Sequence, residues 1–193
     1  MRKNLLLAIA LVLAAFPANA DGVLDKLIST ADKARLDAFK TTEAEALAEA
    51  TSGGTVEDLK VLNSALSGKP LPIDGTFDAT GKWRCRVIKV GGTLPLTIYA
   101  NFKCKITDDG AGWYLEKTSG SQRVTGRFYT NSNTEMTFLG AGHVNNDPPR
   151  KYGQDPEQDQ VALATRRGKN KLVLEFPAPH FESKLDILVL ERQ

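Results

Sequence analysis

The spacing of apolar residues changes once along this chain, near residue 80. Before that point it follows the helical period. Leu36, Phe39, Ala46, Leu47 and Ala50 share one stripe of a helix predicted to be capped by Ser29 or Thr30 and to run through Ala50. Asp32 in its first turn suits the positive end of the helix, and Ser52-Gly53-Gly54 ends it. Thr55 caps a second predicted helix, whose stripe is Val56, Leu59, Leu62 and Leu66 and which Gly68 closes. Both stripes are narrow. Two such helices do not make a domain alone, so they are expected to pack on each other and on the C-terminal part of the chain.

Past a segment at 69–80 that contains Pro70, Pro72 and Gly75, and reads as a linker, the period becomes two. Alternation predicts strands at 82–90, 96–106, 112–118, 123–130, 135–143, 160–166, 171–176 and 184–192. Turn signals separate most of them: Gly91-Gly92, Asp109-Gly110, Asn131-Ser132-Asn133 and Gly168-Lys169-Asn170. Eight hairpin-linked strands predict a mainly β (α+β) fold. It is an antiparallel up-and-down barrel, closed so that no strand edge stays open, preceded by a helical hairpin. A strongly bent open sheet covered by the helices is the alternative.

Two local clues set a register for the first three strands. Pairing Cys85 with Cys104 places Trp83 opposite Ile106, Arg84 opposite Lys105 and Arg86 opposite Lys103. A two-residue Asp109-Gly110 turn places Ile106 opposite Trp113 and Lys103 opposite Glu116. Both put Trp83, Cys85, Cys104, Ile106, Trp113 and Leu115 on the buried side and the charges on the other.

The N-terminus adds a compartment. Arg2 and Lys3 precede an apolar run at 5–16, and Pro17-Ala18-Asn19-Ala20 supplies a small-x-small cleavage pattern. The run is too short to span a bilayer, which takes roughly 20 residues. A signal peptide at 1–20, cleaved after Ala20, is therefore expected, then a helical hairpin at 21–68, the linker at 69–80 and a barrel-like domain at 81–193. No later stretch approaches membrane length, so the mature chain is expected to be periplasmic or secreted without stable membrane insertion. Removing residues 1–20 leaves 173 residues. Only Arg2 and Lys3 of the 25 basic residues go with it, so 23 basic residues balance 23 acidic ones. That balance argues against a nucleic-acid partner. In an oxidising compartment Cys85 and Cys104 read as a disulfide, worth about 3 kcal/mol.

Candidate chemistry is sparse. Arg84, Arg86, Lys103 and Lys105 form an outward cationic patch able to hold a carboxylate, phosphate or acidic partner. Ser121, Gln122 and Arg123 form a second candidate anion site, placed at a barrel mouth, although turn chemistry explains them as well. The long connection 144–159, with Tyr152, reads as a lid or contact loop. Within it Asp155, Glu157 and Asp159 resemble the opening of a calcium loop, but Gln160 stands where glycine is needed and Arg166 where the last glutamate is needed. His143, His180, Glu182 and Ser183 are the acid–base candidates, yet they match no catalytic or zinc motif. No cofactor and no metal is expected.

The segments Trp83-Arg84-Cys85-Arg86, Phe102-Lys103-Cys104, Gly120-Ser121-Gln122-Arg123, Phe138-Leu139-Gly140-Ala141, Tyr152-Gly153 and Glu182-Ser183 ahead of Leu185-Asp186 together resemble an uncharacterised family of exported proteobacterial proteins. It is the domain-of-unknown-function family numbered 4893. The resemblance implies the compartment and the domain boundaries, and no activity. Gly81-Lys82-Trp83 and Arg192 resemble, more loosely, the barrel-closing residues of lipocalin-type barrels. Small periplasmic protease inhibitors also share an eight-stranded barrel, an early tryptophan and one disulfide. The expected role is non-enzymatic binding of a small ligand or peptide at a barrel mouth. The alternatives are a periplasmic protein–protein role, either inhibition of an exported protease or attachment to the envelope, and a hydrolase with an unrecognised site.

Overall fold

Alternation along eight consecutive segments curls the second half of the chain into a closed antiparallel barrel. The computed structural model describes residues 21–145 and 147–192; the expected signal peptide lies outside the described residues. The strands are β1 (Gly81–Val90), β2 (Leu96–Asp108), β3 (Trp113–Lys117), β4 (Gln122–Thr130), β5 (Glu135–Val144), β6 (Asp159–Gly168), β7 (Lys171–Pro177) and β8 (Leu185–Arg192). Each pairs with its sequence neighbours, and β1 pairs with β8 to close the ring. The open-sheet alternative is thereby set aside.

Among the described residues four helices precede the barrel: α1 (Asp21–Leu27), α2 (Thr30–Asp37), α3 (Phe39–Gly53) and α4 (Val56–Leu66). The single helix expected from about residue 30 to Ala50 is thus broken at Ala38, whose backbone leaves the helical path between α2 and α3. Ser29 and Thr55 cap α2 and α4 as expected, their side chains accepting from the Asp32 and Asp58 N–H groups. The helices do not form a free hairpin. Phe39, Ala46, Ala50, Leu62 and Ala65 are buried against outward residues of the barrel wall, among them Ile88, Val90, Val173, Ile187 and Val189. This stretch of wall is apolar on both faces because both faces are covered.

Cys85 and Cys104 form the expected disulfide, with Cα atoms 5.9 Å apart. They are diagonal neighbours, however. Cys85 lies opposite Phe102 and Cys104 opposite Trp83, so the β1–β2 register differs by two residues from the expected one. The like-charge pairs are therefore Lys82–Lys105 and Arg84–Lys103, while Arg86 faces Asn101. The β2–β3 register also shifts by two, because residues 109–112 form a four-residue connection instead of a two-residue turn. Ile106 meets Leu115, and Lys105, not Lys103, meets Glu116. A shift of two preserves the pleat, so Trp83, Cys85, Cys104, Ile106 and Leu115 are all buried as expected.

One end of the barrel is packed solid. Phe138 makes edge-to-face contacts with Phe128 and Phe176, at ring-centroid distances of 5.5 and 5.8 Å. Gly126 and Gly140 face each other beside it. A Cβ on Gly126 would lie 2.6 Å from the Phe138 ring and 2.4 Å from Gly140 Cα, so only glycine makes room for this aromatic layer. Below it Trp83 is fully buried and donates its indole N–H to Ala79 O, and Arg192 stacks 4.6 Å over its ring. Residues 69–80, expected as a linker, cross this end as a plug. Phe77 and Ala79 are buried there, and Phe77 packs edge-on against Trp113.

Candidate functional site

At the opposite end the same inward positions leave space. A cavity of about 770 Å³ opens to solvent there. Its apolar wall is Val87, Phe102, Val124, Phe176 and Leu188, and its polar groups include Lys89, Lys117, Gln122, Gln160 and Asp186. Phe181, Tyr99 and Val144 stand exposed at its rim.

Lys117 is the unusual residue. It ends β3 on the inward side with 5% of its surface exposed. Its ammonium donates to Gln122 O at 2.6 Å and Ser119 O at 3.1 Å and lies 3.8 Å from the centre of the Phe102 ring. Among the described residues it makes no ion pair. An ammonium carries three donors, so one is left over for the cavity. Burial, reinforced by the nearby Arg123 charge, pulls its pKa down to about 8. The β3–β4 turn folds directly above it. Gly120, at φ +86°, would place a Cβ 2.9 Å from Nζ and 2.8 Å from Phe102, so the turn passes over the ammonium only as glycine.

The facing wall is charged but internally satisfied. Lys89 lies 2.7 Å from a Glu182 carboxylate oxygen and 3.8 Å from one of Asp186. Burial pulls the Lys89 pKa down, and these two carboxylates outweigh it to leave a net rise. Burial pushes the Asp186 carboxyl up, against the pull of Lys89 and of the Ser183 hydroxyl, which donates to it at 2.5 Å. His143 lines the β5 edge, buried, with its Nδ1 unpartnered among the described residues; burial and then Arg123 lower its pKa.

The candidates drawn from the sequence divide into two groups. Ser121, Gln122 and Arg123 line this mouth, as do His143, His180 and Glu182. Arg84, Arg86, Lys103 and Lys105 lie on the outer wall instead. Arg84 pairs with Glu191 at 2.5 Å, Arg86 bonds Asn101, and both border a shallow groove beside α4. Tyr152 lies outside the mouth and clasps the long loop to α2. Its hydroxyl donates to Asp32 at 2.5 Å and accepts from Ser29 N, and burial followed by the Asp32 bond raises its pKa to about 12. Two of the three calcium-like carboxylates are engaged by neighbours, Asp155 by Arg150 and Asp159 by the Gly153 N–H. Among the described residues no three His, Cys, Asp or Glu side chains gather as a metal set, and no helix is long and apolar enough to cross a membrane. Lys89, Lys117 and Asp186 were not singled out from the sequence. The available signal was a charged residue at an inward position of a strand otherwise apolar on that face.

A family model described as "Domain of unknown function (DUF4893)" matches residues 25–190, spanning the helices and nearly the whole barrel. The chain belongs to this family. No curated protein and no solved structure matches it. Membership in DUF4893 therefore brings no activity with it, and the functional reading rests on the cavity.

Proposed function

We propose that this DUF4893 protein is an exported, non-enzymatic binding protein that takes a small ligand, or the end of a peptide, into the mouth of its barrel. The observation that carries the reading is a barrel solid at one end and hollow at the other. A cavity of this size falls in the range of roughly 300–1,000 Å³ usual for ligand sites, and its mixture of apolar walls with a few fixed polar groups is their usual chemistry. The hydrolase alternative finds little support. The Ser183 hydroxyl is engaged by Asp186, and the exposed His180 lies against Phe181 with no hydrogen bond to that serine. Contact with an envelope protein through the helical stripe loses part of its basis, since Phe39 and Leu62 are buried on the barrel, while Leu36 and Leu59 are half-buried and Val56 is exposed. Export rests on the residues at 1–20 and on the disulfide, which belongs to an oxidising compartment.

Native mass spectrometry of protein purified from the cell envelope tests this reading. The expected species begins at Asp21, is two hydrogens lighter than the reduced chain and carries a non-covalent small-molecule adduct. A chain that starts at Met1, or one that carries no adduct and takes up no added amphiphile, contradicts it.

A further inference from the structure

We infer that the cavity is specific for amphipathic monoanions, with a carboxylate held on Lys117 beneath the β3–β4 turn and an aliphatic tail lying along Val87, Phe102, Val124, Phe176 and Leu188. This rests on the binding reading above and names the ligand class of that site. Three observations carry it. First, Lys117 is more than nine-tenths buried, lines the cavity and bonds only two backbone carbonyls, so one N–H remains for a ligand. A buried ammonium without a counter-ion is costly, and a ligand carboxylate supplies the missing charge.

Second, the charges lining the cavity are unevenly placed. Lys89 is neutralised by Glu182 and Asp186 on one wall. On the other, Lys117 and Arg123 have no carboxylate partner among the described residues, and Arg123 bonds only Gly120 O. Three cations against two carboxylates leave one positive charge in excess, which matches one negative charge on the ligand. Third, Val87, Phe102, Val124, Phe176 and Leu188 line the cavity beside neutral polar groups, among them Ser121, Gln122, His143, Gln158 and Gln160, and give a hydrocarbon chain an apolar surface to lie on. The exposed Phe181, Val144 and Tyr99 at the rim continue that apolar path outward.

Isothermal titration of the purified, disulfide-intact protein with decanoate, decanol and decyltrimethylammonium at pH 7 tests the assignment. Decanoate is expected to bind at least tenfold more tightly than either of the others. The K117M variant, which keeps an unbranched side chain one atom shorter and loses the charge, should bring decanoate down to the level of decanol and leave decanol within twofold. A urea melt of the same sample establishes that the variant is folded, and the wild-type comparison stands without it. Decanol bound as tightly as decanoate, or a decanoate preference that survives K117M, overturns the monoanion assignment and leaves the cavity reading intact. If none of the three amphiphiles binds, the cavity reading falls and this assignment with it.

Discussion

The two ends of the barrel place side chains by the same rule and fill them differently. At the closed end the inward positions carry Trp83, Leu115, Phe138 and Leu172, all fully buried, with Phe77 and Arg192 laid across the opening. At the mouth the inward positions of the same barrel carry Lys89 on β1, Lys117 on β3, Gln160 on β6 and Asp186 on β8. The pleat decides which residues face the interior, and the residue chosen at each of those positions decides whether the interior is a core or a container. Apolar side chains of varied shape interlock to native density. Lys89, Lys117 and Asp186 are instead each tied to neighbouring groups by hydrogen bonds or ion pairs, and a cavity remains between them.

This contrast breaks most visibly at the closed end. The substitution Trp83→Ala removes a fully buried indole, its bond to Ala79 O and the surface on which Arg192 rests, and should cost about 4 kcal/mol. The urea midpoint measures it. A loss below about 1 kcal/mol would mean that this end is not the packed core.

At the mouth the sign should reverse. The folded pKa of Lys117, about 8, lies below the ordinary 10.5, so below pH 8 the folded chain holds at a cost a buried charge that the unfolded chain carries in water. Between about pH 8 and 10.5 the unfolded state holds a proton that the folded state has released, and stability gains from this group as pH rises. Replacing Lys117 with Met should therefore stabilise the protein by about 1 to 2 kcal/mol at pH 7, after the loss of its two carbonyl bonds is offset, and the advantage should fade towards pH 10.5. The charged and titratable groups that share this cavity are Arg123 from β4, His143 from β5, Lys89 from β1, Tyr99 from β2, His180 and Glu182 from the connection between β7 and β8, and Asp186 from β8. Urea melts at pH 7 and pH 10 check it, and equal destabilisation at both would contradict it. The smallest effect belongs to the rim. Phe181 is 56% exposed, so Phe181→Ser should change stability by no more than about 0.5 kcal/mol while weakening amphiphile binding.

The barrel was legible in the sequence because period-two alternation is a local signal repeated eight times, and a turn residue punctuates most repeats. Register was less legible. Gly110 and Gly112 both adopt left-handed backbone, which lengthens the 109–112 connection, and the sequence offers no local mark that distinguishes it from a two-residue turn. The break at Ala38 was equally silent, since alanine is a good helix former and the apolar stripe continues past it. Of the mouth, Ser121, Gln122 and Arg123 stood out as polar residues clustered at a turn. Lys117 and Asp186 did not, because each is one charge in an otherwise ordinary strand. They become notable only when eight strands, far apart in sequence, bring their inward faces together. Tyr152 stands out in the sequence by its place in a long loop, but its partner Asp32 lies 120 residues away.

Backbone amide NMR shifts during a titration with decanoate test the division of the barrel most directly. Shifts are expected at the mouth, at Phe102, Lys117, Gln122, Gly142 and Leu188, and should leave the amides of Trp83, Phe138 and Leu172 unmoved. Changes centred on the closed end or on the outer groove at Arg84 and Arg86, or a spectrum that decanoate does not alter, would contradict a barrel that is core at one end and container at the other.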